Sequence, residues 1–71
     1  MINAKYRVTL WEYERGWGSR HWSDTDFDTL EEAQDFQRKE NAKNDKPYVP
    51  DWYVTADNPR LVDADKEPPR N

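Results

Sequence analysis

From Lys5 to Tyr13 side chains alternate in sequence: Tyr6, Val8 and Leu10 fall on one face, and Arg7, Thr9, Trp11 and Tyr13 on the other. A period of two, with β-branched and aromatic residues, predicts a half-buried strand. The only two glycines, Gly16 and Gly18, then bracket Trp17. They mark backbone positions suited to positive φ and predict a turn longer than two residues, with a bulge. A second strand is expected over about residues 20–27, with Phe27 as its core position. In a regular strand His21, Ser23 and Thr25 share the face of Phe27, and Arg20, Trp22, Asp24 and Asp26 take the other.

Thr29-Leu30-Glu31-Glu32 has the form of a capping box, in which the Thr29 hydroxyl accepts from the Glu32 amide and the Glu32 carboxylate returns to Thr29. A helix is predicted from Leu30 to about Lys43. Leu30, Ala33 and Phe36 form a narrow apolar stripe, acidic residues fill the first turn, and basic ones fill the last. Asn41 and Asn44 are candidate C-terminal caps, and Pro47 forbids continuation. After an irregular lead-in through Val49 and Pro50, residues 52–56 alternate again. Trp52, Val54 and Ala56 share one face, and Tyr53 and Thr55 the other.

Strand, strand, helix, strand predicts an α+β fold: a ββαβ sheet of three strands in the order 2-1-3, with one helix packed on one face. The right-handed crossover returns the third strand parallel to the second. The single small domain spans residues 1–62, and residues 63–71 are expected to form a disordered, charged, proline-containing tail. The helix covers Tyr6, Val8, Leu10, Phe27, Val54 and Trp52. Trp11, Tyr13, Trp22 and Tyr53 are left on the uncovered face.

Composition sharpens that picture. The 71 residues include ten aromatics, four of them Trp, and no cysteine, so disulfides, thiolate metal sites and a thiol nucleophile are excluded. No apolar run is long enough for a signal peptide or a membrane span, so a soluble, cytoplasmic protein is expected. The net charge of −4 opposes attraction to nucleic acid and anionic lipid. Asp24, Asp26 and Asp28 lack the glycine turn and the later glutamate of a calcium loop, Asp63, Asp65 and Glu67 lie in the expected tail, and both runs are read as solvated charge. His21 is the single histidine, with no readable partner, and Gly16-Trp17-Gly18 is no phosphate loop. No catalytic residue, metal or cofactor is expected.

What remains is the aromatic surface. Trp, Tyr and Arg dominate binding hot spots. Trp11, Tyr13, Arg15, Trp17, Arg20, Trp22 and Tyr53 are therefore the candidate partner-binding residues. The competing reading is that the rings only stabilise a thin sheet by cross-strand packing.

Glu12-Tyr13-Glu14-Arg15-Gly16-Trp17-Gly18-Ser19-Arg20, then Phe27-Asp28-Thr29-Leu30-Glu31-Glu32-Ala33, then Pro50-Asp51-Trp52-Tyr53, resemble short, uncharacterised accessory proteins of tailed bacteriophages. The likeness runs from about Tyr6 to Pro59 and carries no catalytic motif. It implies a non-enzymatic interaction module that binds, and redirects or blocks, a host protein in the host cytoplasm. Two other readings use the same aromatic face: a single-stranded nucleic-acid binder, which the acidic balance disfavours, and a homodimer subunit.

Overall fold

A computed structural model describes residues 3–48 and 50–70; Met1, Ile2, the lead-in residue Val49 and the last tail residue Asn71 lie outside the described residues. The elements are β1 (Ala4–Glu14), β2 (Gly18–Phe27), α1 (Leu30–Ala42), β3 (Trp52–Ala56) and β4 (Arg60–Asp63). The sheet has the expected order β2-β1-β3, and every pairing with β1 is antiparallel. β4 is an addition to the three expected strands. It pairs with the first residues of β1, Ala4 to Arg7, on ladder positions that the shorter β3 leaves free.

The β1–β2 turn closes with the Trp17 amide donating to the Glu14 carbonyl at 2.9 Å. Gly16 and Gly18 have φ of 84° and 85°, so both glycines occupy backbone that L-residues with side chains rarely adopt. A further irregularity, which the regular alternation read for this strand does not anticipate, falls inside β2. Leu10 faces Ser23, but Trp11 faces His21, so Trp22 is an extra residue with no opposite number on β1. A one-residue bulge reverses the inside-outside phase of everything beyond it.

Thr29 caps α1, its hydroxyl accepting from the Glu32 amide at 3.2 Å. The Glu32 carboxylate returns to the Thr29 hydroxyl, 2.9 Å away, rather than to the Thr29 amide. Ala33 is fully buried and packs with Val8, Leu10 and Ala56, with Tyr6, Phe27, Phe36 and Val54 around them. Phe27 and Phe36 bring their ring centroids to 5.1 Å. Leu30, in the first turn, stays 42% exposed, so the working stripe is narrower than the sequence suggests. Asn41 and Asn44 do not serve as caps. Asn41 pairs with both the amide and the carbonyl of Ala56, and Asn44 donates to the Val54 carbonyl. These amides occupy the free edge of β3, where an unpaired ladder would invite another strand.

Residues 64–70, expected to be loose, run as a strap over the side of the sheet that α1 leaves open. The Ala64 amide donates to the Asn3 carbonyl, and the Arg7 guanidinium donates to the Glu67 carbonyl. At the far end the Asp24 amide donates to the Arg70 carbonyl at 2.7 Å, and the Arg70 amide returns to the Asp24 carboxylate at 3.1 Å. Low apolar content predicted disorder because it cannot supply a core. Backbone hydrogen bonds to two buried charged residues of the sheet supply the anchorage instead.

Candidate functional site

The bulge divides the expected aromatic face in two. Glu12, the fourth residue of the row Tyr6, Val8, Leu10, Glu12, lies on the helix side of the sheet but beyond the apolar core. Its carboxylate is buried and accepts from the Trp52 indole N–H at 2.7 Å and from the Arg20 guanidinium. The Trp22 ring meets Trp52 edge-to-face, with centroids 5.7 Å apart. Trp17, at the turn, is 84% exposed, and Trp22 and Trp52 are 45% and 49% exposed. Trp17, Arg20, Trp22 and Trp52 thus gather at the outer half of the hairpin, around one buried carboxylate. A groove of about 440 Å³ leads from the Trp22–Trp52 pair to the C-terminal end of α1, where Lys43 and Asn44 line it.

Two sequence expectations need correction. Trp22 and Arg20 do not share the open face with Trp11, because the extra residue at Trp22 turns Arg20 back toward Glu12 and brings His21 outward opposite Trp11. Two residues escaped the sequence reading altogether as site members, Trp52 and Glu12. Glu12 had a legible signal: it is a carboxylate on the buried phase of an alternating strand, where a charge needs partners.

The open face keeps Trp11, Tyr13 and Tyr53, each half-buried. Tyr13 and Tyr53 stack at 5.2 Å and 11°, and Trp11 meets His21 edge-on at 6.1 Å. Both arrangements fit the packing reading of these rings as well as the docking one. Arg15 sits at the rim, paired with Asp51 at 3.4 Å, both side chains being exposed. Further along, Thr9 donates to Asp24 at 2.9 Å, His21 Nε2 lies 3.0 Å from the same carboxylate oxygen, and Arg7 clamps Asp26 with two bonds of 2.7 and 3.0 Å.

The acidic run is therefore engaged in pairing. Asp24 binds Thr9, His21 and the strap, Asp26 binds Arg7, and Asp28 binds Lys5. Among the described residues no group of three or more His, Asp or Glu side chains is arranged to hold a metal ion.

Hydrogen bonds from the Trp52 indole and then from Arg20 hold the Glu12 carboxyl below the usual carboxylate range. Burial pushes Asp24 up, but hydrogen bonds from His21, Thr9 and the Arg70 amide outweigh it, and its pKa also falls. A folded-state pKa below the unfolded one contributes stability that is present above about pH 4 and is lost as pH falls through the folded value. Urea unfolding midpoints should hold steady from pH 7 to about pH 5 and drop below about pH 4. Glu12→Gln and Asp24→Asn should each flatten that drop; an acid limb of unchanged steepness in both variants would count against this assignment.

The molecule belongs, by its geometry, to the small α+β proteins in which one helix covers one side of an antiparallel sheet. Comparison with known proteins finds no matching family model, no similar curated protein and no similar solved structure. No helix among the described residues is long and apolar enough to cross a membrane.

Proposed function

We propose that this protein is a non-enzymatic protein-interaction module whose contact surface is the outer half of the hairpin, with Trp17, Arg20, Trp22 and Trp52 as its anchors. One observation carries the reading. Three large indoles stand exposed around a buried carboxylate that fixes Trp52 and Arg20 by direct hydrogen bonds. Burying Glu12 costs free energy, and it adds nothing to the apolar core around Val8 and Ala33. What it supplies is rigidity: aromatic anchors held in place before binding lose less entropy when a partner arrives. Trp, Tyr and Arg are the side chains that most often dominate such contacts. The resemblance to bacteriophage accessory proteins supports a bacterial host protein as the partner and modulation of that protein as the outcome.

The test is affinity capture from a bacterial lysate with the full chain and with Trp17→Ala, followed by titration calorimetry on the purified pair. Trp17 contributes little to the core, so the variant should keep its far- and near-ultraviolet dichroism. Its affinity should fall by at least about 30-fold, the loss of one hot-spot residue. Identical affinity in Trp17→Ala and in Trp22→Ala would remove the hairpin as the contact surface.

A further inference from the structure

We infer that the open face of the sheet is a second binding surface, and that it takes an extended, proline-containing peptide with basic flanks. The side chains on this face stand in rows that run across the strands. Tyr53 and Tyr13 form one row, Thr55, Trp11 and His21 the next, and then Thr9 with Asp24, and Arg7 with Asp26. Successive rows on one face lie about 7 Å apart, twice the rise per residue of a strand. The chain itself occupies one end of this ribbed surface. Its segment Glu67-Pro68-Pro69-Arg70 crosses the sheet in the direction of the rows, from the β4 side to the outer edge of β2. It is held through backbone groups of the residues flanking the prolines, Glu67 and Arg70, while the prolines have no N–H to satisfy.

The neighbouring trough, between Tyr13 and Trp11, crosses the strands the same way, with these two rings on its walls and Ser19, Thr55 and Asp57 beside them. Aromatic-lined grooves are what polyproline II segments dock into, because the segment is already extended and loses little entropy on binding. Trp11, Tyr13 and Tyr53 are half-buried, so part of each ring remains accessible to a peptide laid along the trough. Asp57 at the edge of the trough and the net charge of −4 favour basic residues beside the prolines.

The probe is a short polyproline peptide with an arginine at each end, titrated into the isotope-labelled full chain while the four tryptophan indole signals are followed. The Trp11 signal should shift saturably and the Trp22 and Trp52 signals should stay in place. Tyr13→Ala should weaken binding at least about tenfold. Thr55→Arg, which fills the trough and leaves the rings intact, should do the same if Tyr13→Ala folds poorly. A Trp11 signal that ignores millimolar peptide overturns the inference. So does an equal response to a glycine–serine peptide of the same charge. A response to oligothymidylate in place of the peptide, or one that follows protein concentration alone and so reports a second copy of the chain, also overturns it. Loss of the hairpin surface leaves this outcome unaffected, because the two sites use different indoles.

Discussion

Arg7→Ala is expected to lower the unfolding free energy by about 3–5 kcal/mol, the cost of removing one member of a buried ion pair. Arg7 is 2% exposed, and its guanidinium holds both carboxylate oxygens of Asp26 and also the Glu67 carbonyl of the strap. The hydrogen bonds that Arg7 donates to the Asp26 carboxylate raise the Arg7 pKa, outweighing burial, so the charge persists at any ordinary pH. Without Arg7 the Asp26 carboxylate remains on the sheet with no guanidinium bonded to it, and the strap loses its middle anchor. For a domain of this size the loss corresponds to a melting temperature lower by roughly 15–30 °C. It is a large share of a total stability that is about 5–15 kcal/mol in native proteins. Arg7→Met combined with Asp26→Leu should recover much of the loss, since two apolar groups leave no orphaned charge. A single-variant cost below about 1 kcal/mol would mean that the pair behaves as a surface salt bridge, and the buried role would be wrong.

The second large effect lies on the opposite side of the sheet. Phe27→Ala is expected to cost about 3 kcal/mol, toward the lower end for truncating a phenylalanine in a core because Phe27 is only half-buried. Its ring faces Tyr6 across the ladder and packs against Phe36 of α1, the main aromatic contact between helix and sheet. With Val8 as the largest fully buried side chain, few other contacts can absorb the cavity. A double-mutant cycle with Phe36→Ala should return a coupling of about 0.5–1.5 kcal/mol, as aromatic pairs do. Additive losses would show that the rings contribute only through the area they each bury.

Much of the fold was legible in the chain. The alternation from Tyr6 to Tyr13 placed β1, and a strand with ladders on both sides belongs in the centre. The Thr29 cap placed the start of α1 to the residue. The missed pieces share a cause, which is backbone hydrogen bonding that composition does not report. Leu61 and Val62 give only a two-residue apolar signal, yet the free ladder positions on β1 recruit them into β4. The strap carries almost no apolar residue and is held by Arg7 and Asp24.

The candidate site was half legible. Residue types alone pointed to Trp11, Tyr13, Arg15, Trp17, Arg20, Trp22 and Tyr53, and these positions do lie on or beside the hairpin. Their division between two surfaces was hidden, because one extra residue at Trp22 changes the phase of β2, and phase is the quantity from which a face is inferred.

By itself, then, the sequence determined β1, β2, α1 and β3, their order and the side of β1 that meets the helix, because these follow from local periodicity and from capping chemistry. The tertiary structure alone decided that Trp22 and Arg20 join Trp52 around Glu12, and that the C-terminal strap shares the open face with Trp11. Both depend on which backbone groups and charges find partners across the sheet, and such pairing is fixed by the register between distant segments.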